Sequence, residues 1–185
     1  MVMSSQSNPR YDALAAALGP RAARNKPLGP LTTYGVGGPA ALFVEVEGSD
    51  DLDAVRAVLV GSGVSVFVVG RGSNLLVADA GFDGVAVRLG NGFSSVQLPD
   101  AGASGTAPFV ARVGASALLP VLARQAADAG WAGLTWAVGV PGSVGGAVRM
   151  NAGGHGSDMA ACLYRFTWVD LLSEGGGTDD VSRLR

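Results

Sequence analysis

From residue 40 to 47 the chain alternates: Leu42, Val44 and Val46 fall on one face, Glu45 and Glu47 on the other, the period of a half-buried strand. The period then lengthens. Ser49 predicts an N-cap, with Asp50 and Asp51 in the first turn, a helical stripe of Leu52, Val55, Val58 and Leu59, and Gly61 and Gly63 at the stop. A continuous apolar run over residues 65–69 predicts a buried strand. Strand, helix and strand at this spacing predict a βαβ unit with parallel pairing and a right-handed crossover.

Flanking segments predict shorter elements. Asn8 and Pro9 open a helix with Leu14 and Leu18 one turn apart and Gly19 as its stop, packing on the outside. Residues 1–8 read as a disordered start and residues 20–30 as a linker. Residues 75–77 and 85–89 are short strands around the turn Gly81-Phe82-Asp83-Gly84; residues 93–98 and 109–113 are two more, separated by a glycine- and serine-rich loop at 99–107. Residues 116–130 form an amphipathic helix with Leu118, Val121, Leu122, Ala126 and Ala129 inward and Pro120 near its start. Residues 162–172 are a long strand with Phe166 and Trp168 on one face, residues 174–177 a turn, and Thr178 the cap of a last helical turn. No repeat at a period of 20–50 residues is visible.

Composition narrows the class. Of 185 residues 29 are glycine, roughly twice the usual share. No Gly-X-Y period runs through them, which excludes collagen, and 48 % hydrophobic against 15 % charged residues excludes low-complexity disorder. Thirteen basic and fifteen acidic residues give a net charge of −2, and Lys26 is the only lysine. Without a basic stripe, nucleic acid and anionic membrane surfaces are not predicted partners. No apolar stretch reaches the roughly 18 residues of a membrane span, and Asp12 interrupts the one N-terminal run that could serve as a secretory core. A single cysteine, Cys162, allows no internal disulfide, so the cytoplasm is the expected setting, with Cys162 inert inside an apolar strand. With His155 the only histidine, a zinc cluster is excluded as well. His155 itself reads as a turn or surface residue, and Trp131, Trp136 and Trp168 as packing. Demanding chemistry in such a chain falls to a cofactor.

Glycine concentrates in three places. Thr32-Thr33-Tyr34-Gly35-Val36-Gly37-Gly38-Pro39 precedes the first predicted strand and reads, taken alone, as the loop feeding it. Val69-Gly70-Arg71-Gly72-Ser73-Asn74-Leu75 follows the second strand of the βαβ unit, at the carboxyl end where open α/β sheets place ligands. Successive N–H groups without Cβ atoms there would cradle a pyrophosphate, with Ser73 and Asn74 as further donors; a plain tight turn is the alternative. No Gly-Lys-Ser/Thr follows, so it is not a Walker loop, and a strand rather than a helix comes next, so it is not a Rossmann fingerprint. The third cluster runs from Val140-Pro141-Gly142-Ser143-Val144-Gly145-Gly146-Ala147 into Asn151-Ala152-Gly153-Gly154-His155-Gly156. Pro141 outside, Ser143 as N-cap and a helix over 144–150 follow from it. Gly145 and Gly146 each cost that helix about 1 kcal/mol relative to alanine. Either an anion approaches the helix start or the helix packs unusually close; both remain open.

In this order and spacing the motifs resemble the UDP-N-acetylenolpyruvoylglucosamine reductase (MurB) family. The resemblance rests on Thr32-Thr33 with Gly37-Gly38-Pro39-Ala40, on Gly70-Arg71-Gly72-Ser73-Asn74-Leu75-Leu76, on Gly81-Phe82-Asp83-Gly84, and on Val140 to Ala147 with Asn151-Ala152-Gly153. It covers residue 28 onward. It implies an α+β, two-lobed FAD-binding domain of the vanillyl-alcohol-oxidase (PCMH) type: residues 1–27 an extension, 28–90 the first lobe, 91–185 a truncated second lobe, and a C-terminal substrate domain absent. It implies non-covalent FAD held by Thr33, Gly37, Gly70, Arg71, Gly72, Ser73, Asn74, Leu75, Gly139, Pro141, Gly142, Ser143, Gly145, Gly146, Asn151 and Gly153. It also implies NADPH as hydride donor and a UDP-sugar enolpyruvyl ether as acceptor, in a cytoplasmic monomer serving peptidoglycan synthesis, and with it cell shape and division. Family members continue with an Arg in a Gly-Tyr-Arg segment, then a Ser or Cys proton donor, then a Glu; residues 178–185 look like the approach to that segment, and no catalytic residue is transferred. Where many members have Ser-Gly-Ile-Pro-Gly, this chain has Val138-Gly139-Val140-Pro141-Gly142, without the hydroxyl. A non-catalytic FAD-binding module, or another flavoprotein of the same fold, is the alternative.

Overall fold

The N-terminal helix forms where its cap signals place it, α1 (Pro9–Leu18): the Asn8 side chain accepts from the Arg10 N–H at 3.1 Å and Gly19 ends the helix at φ 61°. The computed structural model describes residues 8–100 and 109–184; the predicted disordered start (but for Asn8) and most of the loop at 99–107 lie outside the described residues. These divide into two units. One holds residues 8–69, Leu75–Arg88 and Asp170–Glu174; the other holds Gly70–Asn74, Leu89–Val169 and residues 175–184.

In the first unit α1 buries Tyr11, Leu14 and Leu18. The Tyr11 hydroxyl donates to Asp83 at 2.7 Å; burial first, then that bond to a carboxylate, push its pKa up to about 12. Residues 20–30 are not a linker. Ala22–Pro27 is a strand, β1, antiparallel to β2 (Pro39–Val46), with Ala22 opposite Val44 and Pro27 opposite Pro39. Most of β1 is exposed, so no hydrophobic alternation announces it; pairing with β2 makes it a strand. The next helix, α2 (Ser49–Leu59), starts one residue early, with Gly48 at the N-cap and Ser49 already helical. Val55 and Leu59 are its buried positions.

After α2 come β3 (Val66–Val68) and β4 (Phe82–Leu89), and the four strands lie in the order β1-β2-β4-β3. The predicted unit is therefore split: β4 stands between β2 and β3, and the parallel pairing joins β3 to β4, with Val66 opposite Val85. As an edge strand β3 leaves Val68 58 % exposed, against the expectation of a buried one. Residues 75–77 form no strand, and Phe82 to Gly84 of the predicted turn are the start of β4. The core here is Leu28, Ala40, Phe43, Val69, Val77 and Ala86, with Leu75 packed against it.

In the second unit β5 (Val96–Gln97) and β6 (Arg112–Val113) make a short antiparallel pair; Phe93 falls in a 3-10 turn instead of a strand. α3 (Leu119–Asp128) begins three residues later than predicted. Ser116 gives its hydroxyl to the Gly90 carbonyl at 2.7 Å, and Leu118, 37 % exposed, bridges to Ser143 outside the helix. The buried stripe is Leu119, Leu122, Ala123 and Ala126, so the predicted Leu122 and Ala126 hold while Leu118 and Ala129 face out.

α4 (Val144–Met150) matches its prediction, Ser143 accepting from the Gly146 N–H at 3.3 Å. β7 (Gly153–Gly154) and β8 (Ser157–Asp158) then form a tiny hairpin turned by His155 and Gly156, a single turn α5 (Met159–Cys162) follows, and β9 (Arg165–Val169) pairs antiparallel with β10 (Gly176–Asp180). Cys162 ends α5 as an exposed residue rather than sitting in a strand; its thiol donates to the Met159 carbonyl at 3.5 Å, and partial burial raises its pKa. Phe166 and Trp168 share the half-buried face of β9 as predicted. Thr178 lies in β10 opposite Thr167, and Asp180 instead opens the last turn by accepting from the Ser182 N–H at 2.8 Å. Leu119, Leu122, Ala123, Trp136, Ala137, Ala147 and Met159 form this unit's core.

Candidate functional site

The last ladder bond beside the second glycine cluster runs from the Val69 N–H to the Val87 carbonyl at 2.8 Å. Pairing stops there. Among the described residues no backbone N–H from Gly70 to Asn74 donates to a protein acceptor. The loop is mostly exposed, with only Gly72 buried, so these donors are open to solvent or a ligand, and such a run is an arrangement that binds an anion's oxygens. Arg71 is exposed and forms no ion pair among the described residues, so its charge is available beside the run.

Two contacts join this loop to the third cluster. Ser73 donates its hydroxyl to the Pro141 carbonyl at 3.2 Å. Gly70 lies against Ser143, where a Cβ would stand 2.8 Å from the serine Oγ. Gly142 is held at φ 129°, and a Cβ there would meet Ser73 Oγ at 3.0 Å. The N–H groups of Gly142 and Ser143 also make no hydrogen bond among the described residues. The two clusters thus approach each other at Gly70–Ser143 and Gly142–Ser73, where a Cβ on either glycine would meet the opposite serine.

The start of α4 behaves differently. Val144 gives its N–H to Ala117 and Gly145 its N–H to Ala115, both at 2.8 Å, while Gly146 bonds the Ser143 cap. These donors are spent inside the protein. A Cβ on Gly145 would stand 2.8 Å from that of Ala115, so of the two explanations left open for this glycine, close packing is the one present. Asn151 caps the helix in the left-handed region, its amide giving to Asp158 at 3.1 Å and accepting from the Ala160 N–H at 2.8 Å. Gly153 packs on Asp158 and Gly139 beside His155.

Thr33, Gly37 and Leu75 belong to the first unit. Thr33 is exposed; its neighbour Thr32 organises the turn, donating to Gly29 and accepting from Gly35. Gly37 and Gly38 press on Val77, Asp79 and Gly81, and Leu75 packs on the core.

Residues 40–178 match the family model described as FAD binding domain. The chain belongs to that FAD-binding family. Its fold is accordingly an α+β FAD-binding fold. The UDP-N-acetylenolpyruvoylglucosamine reductase of Granulibacter bethesdensis is 38 % identical over 184 residues, covering 100 % of this chain and 53 % of that protein. Its namesake from Rubrobacter xylanophilus is 40 % identical over 165 residues, 89 % of this chain and 52 % of the other. The crystal structure of UDP-N-acetylenolpyruvylglucosamine reductase (MurB) from Thermus caldophilus aligns with a TM-score of 0.67 at 33 % identity, over 88 % of this chain and 52 % of that one. The motif resemblance and these comparisons point to one family. The chain spans about half the length of the curated relatives it matches.

For an FAD-binding domain the residues present fit the cofactor's diphosphate: free N–H groups at Gly70–Asn74, Gly142 and Ser143, a guanidinium at Arg71, and glycines where a Cβ would intrude. Among the described residues no cluster of His, Cys, Asp and Glu could hold a metal, and no helix is long and apolar enough to cross a membrane. Sequence reasoning missed the segment Gly114-Ala115-Ser116-Ala117, whose carbonyls anchor the start of α4. Its signal is the run of small residues, which the helical pattern absorbed into the following helix.

Proposed function

We propose that this chain is the FAD-binding portion of a flavin-dependent reductase of peptidoglycan synthesis, acting on UDP-N-acetylglucosamine enolpyruvate to give UDP-N-acetylmuramate with NADPH as co-substrate. The observation behind it is the run of unpaired N–H groups at Gly70–Asn74, braced by Ser73 on Pro141, in a chain similar to reductases of that name. Its two lobes follow the two units rather than a single break at residue 90, since Gly70–Asn74 belongs with Leu89–Val169 and β1 with the first unit; the cytoplasm is its setting.

FAD, when bound, supplies a reversible hydride store between the nicotinamide and the acceptor double bond. What this chain does is hold and orient. The N–H groups of Gly70, Arg71, Gly72, Ser73 and Asn74, with those of Gly142 and Ser143, bind the diphosphate oxygens, and Arg71 offsets part of its charge. Gly139 and Pro141 shape the approach on the same segment. Gly145, Gly146, Asn151 and Gly153 act behind it, fixing α4 and the β7–β8 hairpin. Thr33, Gly37 and Leu75 remain in the proposed set of cofactor residues. The test is the visible spectrum of the purified chain: bound flavin, or flavin taken up from added FAD with quenched emission, is expected, and a colourless chain that takes up none overturns the proposal. NADPH oxidation dependent on UDP-N-acetylglucosamine enolpyruvate, in the protein that carries this sequence, tests the reaction.

A further inference from the structure

Gly70 is not glycine for its backbone's sake. Its φ lies outside the left-handed region, so no positive φ demands glycine there. Nor is it pinned among many neighbours. Apart from its chain neighbours, a Cβ at this position would meet only Ser143: the Oγ at 2.8 Å and the Cβ at 4.0 Å. The first distance is too short for a real contact; the second is ordinary. Ser143, 4 % exposed, is the one buried polar residue described, and its hydroxyl is fixed by the Gly146 N–H. The hydroxyl can retreat only by giving up that bond and the cap of α4.

We propose that Gly70 and Ser143 are a matched pair in which the capped serine sets how closely the Gly70–Asn74 loop approaches the Gly142–Ser143 segment, making Ser143 a positioning residue for the FAD cradle. The proposal rests on the flavin reading for its consequence, though not for the contact. A methyl group at 70 pushes the loop outward, so the donors on the two segments no longer converge on one diphosphate. Removing the serine Oγ leaves the same methyl group an ordinary 4.0 Å contact.

The experiment is a double-mutant cycle on the full chain with Gly70→Ala, Ser143→Ala and both together. Two quantities are read: the Tm without flavin, and the FAD dissociation constant from flavin fluorescence well below every Tm. Gly70→Ala alone is expected to lower the Tm by about 5 °C and weaken FAD about tenfold. In the Ser143→Ala background the same change should cost neither, and if Gly70→Ala alone does not fold, a folded, FAD-binding double variant is the same rescue. FAD affinity that falls with Gly70→Ala and stays low in the double variant means Gly70 faces the ligand itself, and overturns the pair. A Tm that couples while FAD affinity never moves reduces it to packing and overturns the positioning role. A wild-type chain that binds no FAD defeats the flavin reading, while the Tm cycle still decides whether the contact exists.

Discussion

Ser73 and Pro141 are 68 residues apart in sequence, yet the serine hydroxyl donates to the proline carbonyl at 3.2 Å. That bond braces one glycine-rich loop on the other, and it uses the hydroxyl proton that the sequence alone would assign to a phosphate. Ser73→Ala is therefore expected to cost about 1 kcal/mol of stability even without flavin. FAD affinity should fall roughly three- to tenfold as the loop loosens. Urea unfolding of the flavin-free chain checks this; unchanged stability with a large loss of affinity would assign the hydroxyl to the ligand instead.

Gly145 sets two effects of opposite sign against each other. Alanine there gains about 1 kcal/mol of helix propensity. It also places a methyl group 2.8 Å from the Ala115 Cβ and 3.0 Å from its carbonyl oxygen, and overpacking of that kind costs about 1–3 kcal/mol. Gly145→Ala is expected to lower the Tm, because the atoms it meets are the Cβ and backbone of Ala115, whose carbonyl also receives the Gly145 N–H, rather than the end of a flexible side chain. A raised Tm would show that propensity alone governs the site.

Asn151 combines a left-handed backbone, φ 43°, with two side-chain bonds, to Asp158 and from Ala160. Asn151→Gly loses the bonds and keeps the conformation; Asn151→Ala loses both. The alanine variant is expected to be the less stable by about 1 kcal/mol, measured by denaturant titration of the two side by side.

Tyr11 gives a pH signature. Its pKa rises from 10.0 to about 12 on folding, so the folded chain favours the protonated phenol. The stability this contributes is complete below pH 10 and is lost as the pH climbs through 10 towards 12. Tyr11→Phe should remove that slope and cost about 1–2 kcal/mol at neutral pH through the missing bond to Asp83. Chemical unfolding at pH 8, 9, 10 and 11 reads both effects.

What was legible in the chain was whatever is decided locally. α1 and α4 follow from caps within a few residues of their starts, and the second glycine cluster coincides with a loop whose N–H groups make no hydrogen bond among the described residues. What was not legible depends on distant partners. β1 has no hydrophobic alternation and exists through β2; β3 looks buried by composition and leaves Val68 exposed because β4, not β3, lies beside β2. The apolar pattern places a helix start at residue 116, but Gly90 claims the Ser116 hydroxyl and the helix begins at Leu119. At Gly145 and Gly70 the same residue type answers to a neighbour, Ala115 or Ser143, that no local pattern names.

The pairing of β1 with β2 bears on how the chain can be shortened. Trimming it to the family match at residue 40 removes Ala22–Pro27 and Pro39 and leaves β2 with an open edge from Ala40 to Val44. That edge is long and apolar, and unpaired strands of this sort recruit further copies of themselves. Insoluble material from such a trimmed chain would report a missing neighbour strand rather than a failure to bind flavin.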